Sequence, residues 1–532
     1  MKRQHILVQV MWFCAVPVMA PAARAQSVCD PSGEVRGEAN DLAFSRAARA
    51  GDVDGDGHAD FIVGSWSTNH PFGRPVGAAY LYSGRTNERV YSWYGPGDSS
   101  LFGLAVAGNG DVNGDGVPDI GVGATQAITD GIMTGQAFIY SGADGSLLRR
   151  IDGTNEFSEL GASVAIDGDY DGDGFDDVLI GAPYQSRPLG PSVGQAWVYS
   201  GRTGAALGTW YGIAVGQEFG SAVAWVGDLD GDGRDEAAVG AASGFVMGLG
   251  NAGTVQIFRG GTGREILRLN ASSFGEAFGT AVARLEDIDG DGVSEIIVGA
   301  PLDSSYDSNS GSASVFSGRT GARLFRFAGR APEEIFGIAV DDAGDADHDG
   351  VHDILIGAEG SFPTVPGLIH LYSGATGVEL CSDQQGTTAD FFGNDVAGVG
   401  DLNADGMDDY VATSLGGEVI YEYSGFCTGF AVNAGALTWG EQARISIRCG
   451  PREERVYVAY SLTGMGSTPV PPLNIVLDLA QPALAGSVTT DRAGDGQLEV
   501  ILPQGSGTRL VWLQAAAQGT KSSVSVAQIN PQ

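Results

Sequence analysis

Apolar residues in this chain come in short, sharply bounded runs. "FIVG" (61–64), "VLIG" (178–181) and "IIVG" (296–299) are apolar at consecutive positions and end on glycine. Such runs predict strands buried on both faces. A second set ends in the same turn, as in "AAYLYSG" (78–84), "QAFIYSG" (136–142), "QAWVYSG" (195–201) and "GEVIYEYSG" (417–425). A third, such as "RVYSWYG" (89–95) and "RLFRFAG" (323–329), follows each of these. No stretch of ten or more residues carries a helical period. Four short runs per unit, separated by Gly-rich turns, predict an antiparallel four-stranded sheet.

The units repeat. Each holds an acidic stretch between two apolar runs: "DVDGDGHADFIVG" from Asp52, "DVNGDGVPDIGVGA" from Asp111, "DYDGDGFDDVLIGAP" from Asp169 and "DLDGDGRDEAAVGA" from Asp228. "DIDGDGVSEIIVGAP" follows from Asp287, "DADHDGVHDILIGA" from Asp345 and "DLNADGMDDYVATS" from Asp401. The steps are 59, 58, 59, 59, 58 and 56 residues, which marks an internal repeat. A unit of this size cannot bury both faces of its own sheet, so seven must pack on one another in a ring.

The acidic stretches need a counter-charge. Two carboxylates about 4 Å apart repel by roughly 4 kcal/mol at an effective dielectric near 20. Side chains at loop positions 1, 3, 5 and 9 converge on one point if the loop curls, glycine at position 6 permits the turn, and the position-7 carbonyl can join them. That oxygen set suits a hard cation, and a flexible loop suits Ca²⁺ better than Mg²⁺. An EF-hand would need Glu at position 12 and flanking helices, but position 12 is Val63 and begins no helix. In order of position, the expected ligands are Asp52, Asp54, Asp56, His58 and Asp60 in the first copy. The second offers Asp111, Asn113, Asp115, Val117 and Asp119; the third, Asp169, Asp171, Asp173, Phe175 and Asp177. The fourth offers Asp228, Asp230, Asp232, Arg234 and Glu236; the fifth, Asp287, Asp289, Asp291, Val293 and Glu295. The sixth offers Asp345, Asp347, Asp349, Val351 and Asp353; the seventh, Asp401, Asn403, Asp405, Met407 and Asp409. Copies with Asn at position 3, Glu at position 9, or His348 or Ala404 in place of Gly at position 4 are expected to bind more weakly. Ala404 is the most doubtful, because position 4 calls for backbone angles that glycine reaches easily.

Nine residues before each first aspartate stands an aromatic–Gly pair: Phe102-Gly103, Phe219-Gly220, Phe278-Gly279, Phe336-Gly337 and Phe392-Gly393. The third copy has Leu160-Gly161, and the first has Phe44-Ser45 one residue closer. With the "VGA" or "GAP" after the loop, this pattern resembles the FG-GAP repeat, and residues Val35 to Gly425 resemble the propeller of integrin α subunits and their bacterial relatives. The resemblance implies an all-β fold, a seven-bladed β-propeller of four-stranded blades, with Ca²⁺ held by the acidic loops on one face.

Composition narrows the function. The net charge is −36, and 26 of the acids sit at ligand positions of the seven loops. Such a chain is not expected to bind nucleic acid or an anionic membrane electrostatically. Residues 1–25, with Lys2, Arg3, an apolar stretch and "ARA" ending at Ala25, read as a secretory signal. Without them the charge is about −39. The expected division is signal 1–25, propeller 26–427 and a C-terminal β-sandwich, Ig-like, over 428–532, in a secreted or cell-surface protein with no membrane span. "DRAGDG" (491–496) lacks the position-9 acid and reads as a turn. Of the exported cysteines, Cys29, Cys381, Cys427 and Cys449, a Cys29–Cys427 bond would staple the ring, and Cys427–Cys449 competes with it. Blade seven runs out of chain before its outer strand, and the segment "CDPSGEVRGEA" is placed to supply it.

No H-E-x-x-H, P-loop or C-x-x-C occurs. His58, His348 and His352 lie in the acidic loops, which leaves His70 and His370 elsewhere. No enzyme is expected, although a hydrolase or lyase dyad acting on polysaccharide or lipid could hide among the acids. Antiparallel strands place the loops after "GA(P)" on the face opposite the cation loops, and those loops vary most. There Trp66, Phe72, Arg74, Tyr184, Arg187, Phe245 and Tyr306 are candidate contacts for a protein or glycan ligand. The alternative without a ligand is a calcium-stiffened matrix component.

Overall fold

A computed structural model describes residues 31–37, 44–70, 74–186, 190–246, 249–416 and 418–425, with the backbones of strands between 431 and 530. The signal segment, and both proposed disulfide pairings, fall outside the described residues. Cys381, on the outer strand of blade 6, is itself in a disulfide.

Seven antiparallel four-stranded sheets follow one another along the chain. Blade 1 comprises Arg46–Gly51, Asp60–Ser65, Ala78–Tyr82 and Arg89–Tyr94, paired in chain order. Blades 2 to 6 repeat this order outward from Phe102–Gly110, Ser163–Gly168, Phe219–Trp225, Val282–Leu285 and Phe336–Gly344. Blade 7 runs Phe392–Gly400, Asp409–Ser414 and Val419–Tyr423. Its outer strand is Gly33–Arg36, which pairs antiparallel with Val419–Tyr423 in the register Gly33↔Glu422 to Arg36↔Val419. The chain start thus closes the ring with main-chain hydrogen bonds, as the missing outer strand required. No helix is present among the described residues, and none is long and apolar enough to cross a membrane.

The second strand of every blade is buried at all its positions. Sheet faces of neighbouring blades meet there, which is why these runs are apolar on both sides. The aromatic of each aromatic–Gly pair starts or precedes the inner strand and is buried: Phe44, Phe102, Phe219, Phe336 and Phe392 are fully enclosed. Further out, aromatics stack from blade to blade. Trp93 meets Tyr140 at 4.9 Å, Trp210 meets Phe258 at 4.5 Å and Phe327 meets Tyr372 at 4.2 Å between centroids. These partners are the ring residues just before the "SG" turns.

The glycine of the pair has a different task. Gly103 sits at φ +86°, and a Cβ there would overlap the carbonyl oxygen of Ala78 in the preceding blade. A Cβ on Gly64, the "VGA"-type glycine of that blade, would overlap the carbonyl of Gly103. The same reciprocal contact joins Gly123 to Gly161, Gly181 to Gly220, Gly240 to Gly279, Gly299 to Gly337 and Gly357 to Gly393. Six of the seven blade junctions are therefore backbone-on-backbone contacts. The seventh, between blade 7 and blade 1, has Thr413 and Ser45 at these positions. A side chain bridges it instead: Asp395 Oδ2 of blade 7 accepts from Ala47 N of blade 1 at 2.9 Å, and within blade 7 Thr413 Oγ1 accepts from Asp395 N at 3.0 Å.

Gly103→Ala combines a left-handed backbone with steric overlap and is expected to destabilise by about 2–4 kcal/mol. Gly97→Ala, at a site with open space around it, should change stability by less than about 1 kcal/mol. Denaturant unfolding of both variants checks this; equal effects would contradict the close-contact reading.

Candidate metal centres

Each acidic loop joins the first and second strands of its blade, so all seven lie at one end of the propeller beside the turns between third and outer strands. Position 1 organises the loop. Asp228 accepts from Gly231 N at 2.7 Å, Asp232 N at 3.0 Å and Gly233 N at 2.7 Å, and Asp111, Asp169 and Asp287 do the same in their copies. Position 5 accepts from the position-7 amide, as from Asp56 to Asp405: His58, Val117, Phe175, Arg234, Val293, Val351 and Met407 all donate to it. Position 4 must be left-handed, and the glycines there have φ between +74° and +80°. His348 (φ 59°) and Ala404 (φ 54°) adopt the same conformation, which corrects the expectation that Ala404 stops short of it. The strain is of order 1–2 kcal/mol.

The position-9 acids are the most deeply placed. Asp60, Asp119, Asp177, Glu236, Glu295, Asp353 and Asp409 are all buried. Most bind two backbone amides, one in their own loop and one in the "SG" turn. Asp177 accepts from Tyr170 N and Gly201 N, both at 3.0 Å, and Asp409 from Leu402 N at 2.9 Å and Gly425 N at 2.8 Å. Asp60 reaches Val53 N and Gly84 N, Asp119 reaches Asn113 N and Gly142 N, Glu236 reaches Leu229 N and Gly260 N, and Asp353 reaches Asp347 N and Gly374 N. The recurring glycine of "YSG" thus donates to the acid from a site where a side chain would hit the strand opposite.

Five copies gather carboxylate oxygens within 4.8 Å of one another: Asp52, Asp54 and Asp60; Asp169, Asp171 and Asp177; Asp228, Asp230, Asp232 and Glu236; Asp287, Asp289 and Asp291; Asp345, Asp347 and Asp353. Positions 1 and 3 take part every time. Asp56, Asp173, Glu295 and Asp349 stand outside their groups. Three oxygens in these loops, Asp171 Oδ1, Glu295 Oε1 and Asp345 Oδ1, are buried without a hydrogen-bond partner. Orphaned carboxylate oxygens in an acidic cluster fit a cation better than any neutral donor. In copies two and seven the position-3 amide turns inward. Asn113 Nδ2 donates to Asp119 Oδ1 at 3.3 Å, and Asn403 Nδ2 donates to Asp409 Oδ2 at 3.1 Å. A hydrogen bond there replaces a repulsion, so these two loops hold together with less need of a cation.

Two kinds of residue were not singled out in the sequence. Arginines sit against the position-5 acids: Arg319 on Asp291 at 2.9 Å, Arg259 on Asp230 at 2.8 Å and Asp232 at 2.9 Å, with Arg85 and Arg202 more loosely placed by Asp56 and Asp173. The recurring "SGR" was the signal for three of them. Position-8 acids link neighbouring loops: Asp176 caps Asp111 N at 2.7 Å, Asp235 caps Asp169 N at 2.9 Å and Asp408 caps Asp345 N at 2.9 Å. Position-7 side chains reach the same way round the ring, with His58 Nδ1 2.7 Å from Leu402 O and Arg234 Nε donating to Asp171 O at 2.9 Å.

The FG-GAP repeat family matches residues 160–199, 219–258 and 278–316, each span starting on the residue before the junction glycine and ending just before a turn like "SG". The propeller is integrin-α-like and carries FG-GAP repeats. Integrin alpha-V of Gallus gallus is 32% identical over 219 residues, 38% of this chain and 20% of that protein. Integrin alpha-5 of Xenopus laevis is 34% identical over 249 residues, 44% and 22% of the two chains. Integrin alpha-IIb of Homo sapiens is 36% identical over 170 residues, 29% and 16%. The match spans about a fifth of the length of these relatives. A solved fungal alcohol oxidase in complex with copper aligns with 94% of this chain and 100% of its own at 12% identity and a TM-score of 0.44, too distant to inform the chemistry.

Burial, with neighbouring acids second, pushes the carboxyls of the FG-GAP loops upward. Asp119, Asp177, Glu236, Glu295 and Asp409 reach about 7 and Asp353 about 8, while Asp60 is raised. Each group holds its proton more tightly folded than unfolded. Its contribution to stability is therefore fully present below about pH 4 and lost as the pH rises to between about 7 and 8. His352, raised to about 9 by its hydrogen bond to Asp342, acts in the same direction. In chelator, the melting temperature is expected to fall by several degrees from about pH 5 to about pH 8; a rise over that interval would contradict the burial account.

Proposed function

We propose that this protein is a secreted, calcium-stabilised binding scaffold whose ligand docks on the face opposite the acidic loops. The observation that carries the reading is the contrast between the two ends of the propeller. Of thirteen exposed large apolar side chains among the described residues, eleven stand on that opposite end, while the acid clusters occupy the other. Phe274 (74% exposed), Tyr306 (68%), Ile213 (65%) and Phe362 (62%) lead them, and scattered exposure would need no such segregation. Tyr184 is exposed there and Trp66 is half-buried. Arg74 is paired with Asp98 at 2.7 Å. Phe72, Arg187 and the Phe245 side chain lie outside the described residues.

The reading extends to the rest of the chain. Residues 1–25 act as the export signal, 26–427 form the propeller, and 428–532 form a β-sandwich. Sheets of three, six and two strands, built from Ala431–Ala434 to Ser525–Asn530, support an all-β C-terminal unit. Ca²⁺ in the loops acts structurally. With a Kd around 10⁻⁴ M, as in extracellular modules, millimolar Ca²⁺ stabilises by about 1.4 kcal/mol per site. Several sites together give on the order of 5–10 kcal/mol, comparable with the stability of a whole domain.

Metal analysis after dialysis against Ca²⁺ should find at least about four ions per chain. Asp171→Ala with Asp173→Ala should remove about one of them and lower the melting temperature. Tyr306→Ala and Phe274→Ala should leave melting unchanged yet weaken capture on protein and glycan arrays run with saturating Ca²⁺. An activity that a single loop substitution abolishes without moving the melting temperature would make the metal chemical and overturn the scaffold reading.

A further inference from the structure

Between blades 2 and 3, at the end away from the acidic loops, lies a cleft of about 310 Å³. One wall is the third strand of blade 3, Gln195–Tyr199. Alternate residues share a face, so Gln195, Trp197 and Tyr199 point the same way, and Tyr211 pairs across from Gln195. Trp197 and Tyr199 are half-buried, and Tyr211 is 39% exposed. Asp152 and Asn155 of blade 2 form the opposite wall, and Gln185 closes the cleft from the loop above.

Blade 5 shows one way in which this place is filled. In blade 5 the residue matching Gln185 is Asp303, which is saturated by Ser312 Oγ at 2.6 Å and by Arg326 Nη2 at 2.5 Å. Arg326 pairs with Ser314 in the register where Thr209 pairs with Trp197. Blades 2 and 4 also carry arginine at that register, Arg150 and Arg268. Blade 3 has the short Thr209 there, as blades 1 and 6 have Ser92 and Ser382, so no arginine of its own outer strand reaches Gln185 as Arg326 reaches Asp303. Its floor is unsatisfied: Gln185 is 4% exposed, yet its Oε1 has no hydrogen-bond partner, and its Nε2 reaches only Ser186 O at 3.5 Å. A buried amide oxygen left this way has given up its hydrogen bonds to water without a replacement.

We propose that this cleft binds a neutral saccharide. The occupant must donate to Gln185 and cover half-buried aromatic surface. A sugar does both, with an apolar C–H face for Trp197 and Tyr211 and hydroxyls for the amides of Gln185, Gln195 and Asn155. The charge pattern excludes the other natural occupant, a guanidinium from a partner. Blade 5 meets its arginine with the Asp303 carboxylate, whereas blade 3 offers a neutral amide. Asp152, the one charged residue lining the cleft among those described, is already held by Gln136 Nε2 at 2.7 Å and Arg150 Nη2 at 3.1 Å. The volume is at the small end for ligand pockets and suits one or two sugar rings.

The proposal rests on the binding-scaffold reading and names its ligand class. Titration of the full chain with neutral gluco-, manno- and galacto-configured oligosaccharides, followed by tryptophan fluorescence and calorimetry, tests it. At least one series should bind, and Tyr211→Ala and Gln185→Leu should each weaken it by about tenfold or more with melting unchanged. Thr209→Arg, which places an arginine in the cleft as Arg326 stands in blade 5, should abolish binding. Failure of every neutral sugar overturns the proposal, as does binding that survives Thr209→Arg, or preferential binding of an arginine-amide or uronate-bearing probe. If sugars fail while Tyr306→Ala still weakens capture of a protein on the arrays, the saccharide assignment falls and the scaffold reading stands; if neither binds, both fall.

Discussion

The ring depends on how closely two backbones can approach. At six junctions a glycine in the second strand of one blade meets the glycine that opens the inner strand of the next, and neither tolerates a Cβ. That contact sets the spacing of the blades, and the apolar second strands and the stacked aromatics fill the wedge this spacing leaves. It also explains why the two best-preserved words of the repeat, the aromatic–Gly pair and "VGA", lie far apart in sequence. They are the two halves of one contact between adjacent units. Where both halves change, at Ser45 and Thr413, the junction is the one that must also join the two ends of the ring. There the strand Gly33–Arg36 and the Asp395 carboxylate supply the cohesion that close packing gives elsewhere.

A second constraint is electrostatic and sits at one end. The position-9 carboxylate is buried because it must reach two backbone amides on different turns. Once buried it cannot be screened by water, and the acids at positions 1 and 3 lie within a few ångströms of it in most copies. The chain answers this charge in three ways: an orphaned oxygen set open to a cation, an arginine leaning on position 5, and an asparagine in place of the third acid. Copies differ in which they use, so the seven loops are not seven equal sites. Copy four, with four converging acids and Arg259 beside them, has both the largest charge and its own partial neutraliser.

Much of this was legible in the sequence, for definable reasons. The seven-blade ring followed from a regular step and from runs apolar on both faces, and the ring closure followed from a missing fourth run. The loops were legible because their geometry is local, every hydrogen bond that the position-1 carboxylate accepts falling within five residues. What was not legible depends on register between distant segments. The acids at position 8 look like spare loop charge until Asp176 is seen capping the loop of the preceding blade, 65 residues away. The left-handed turn at Ala404 was misjudged because glycine is preferred there, while a neighbouring hydrogen-bonded frame can hold alanine in place.

The same logic locates function. A repeat protein carries its own controls, since any residue can be compared with six equivalents in nearly the same surroundings. Positions that serve the ring look alike in every blade. A position that departs in one blade, without a compensating partner, is released from the architecture. Blade 5 fills the place with its own Asp303 and Arg326, whereas blade 3 has Gln185 and Thr209 there, and no other side chain satisfies the buried amide oxygen. A buried amide oxygen that the fold itself leaves unanswered is the kind of position at which a ligand from outside can replace a side chain of the protein.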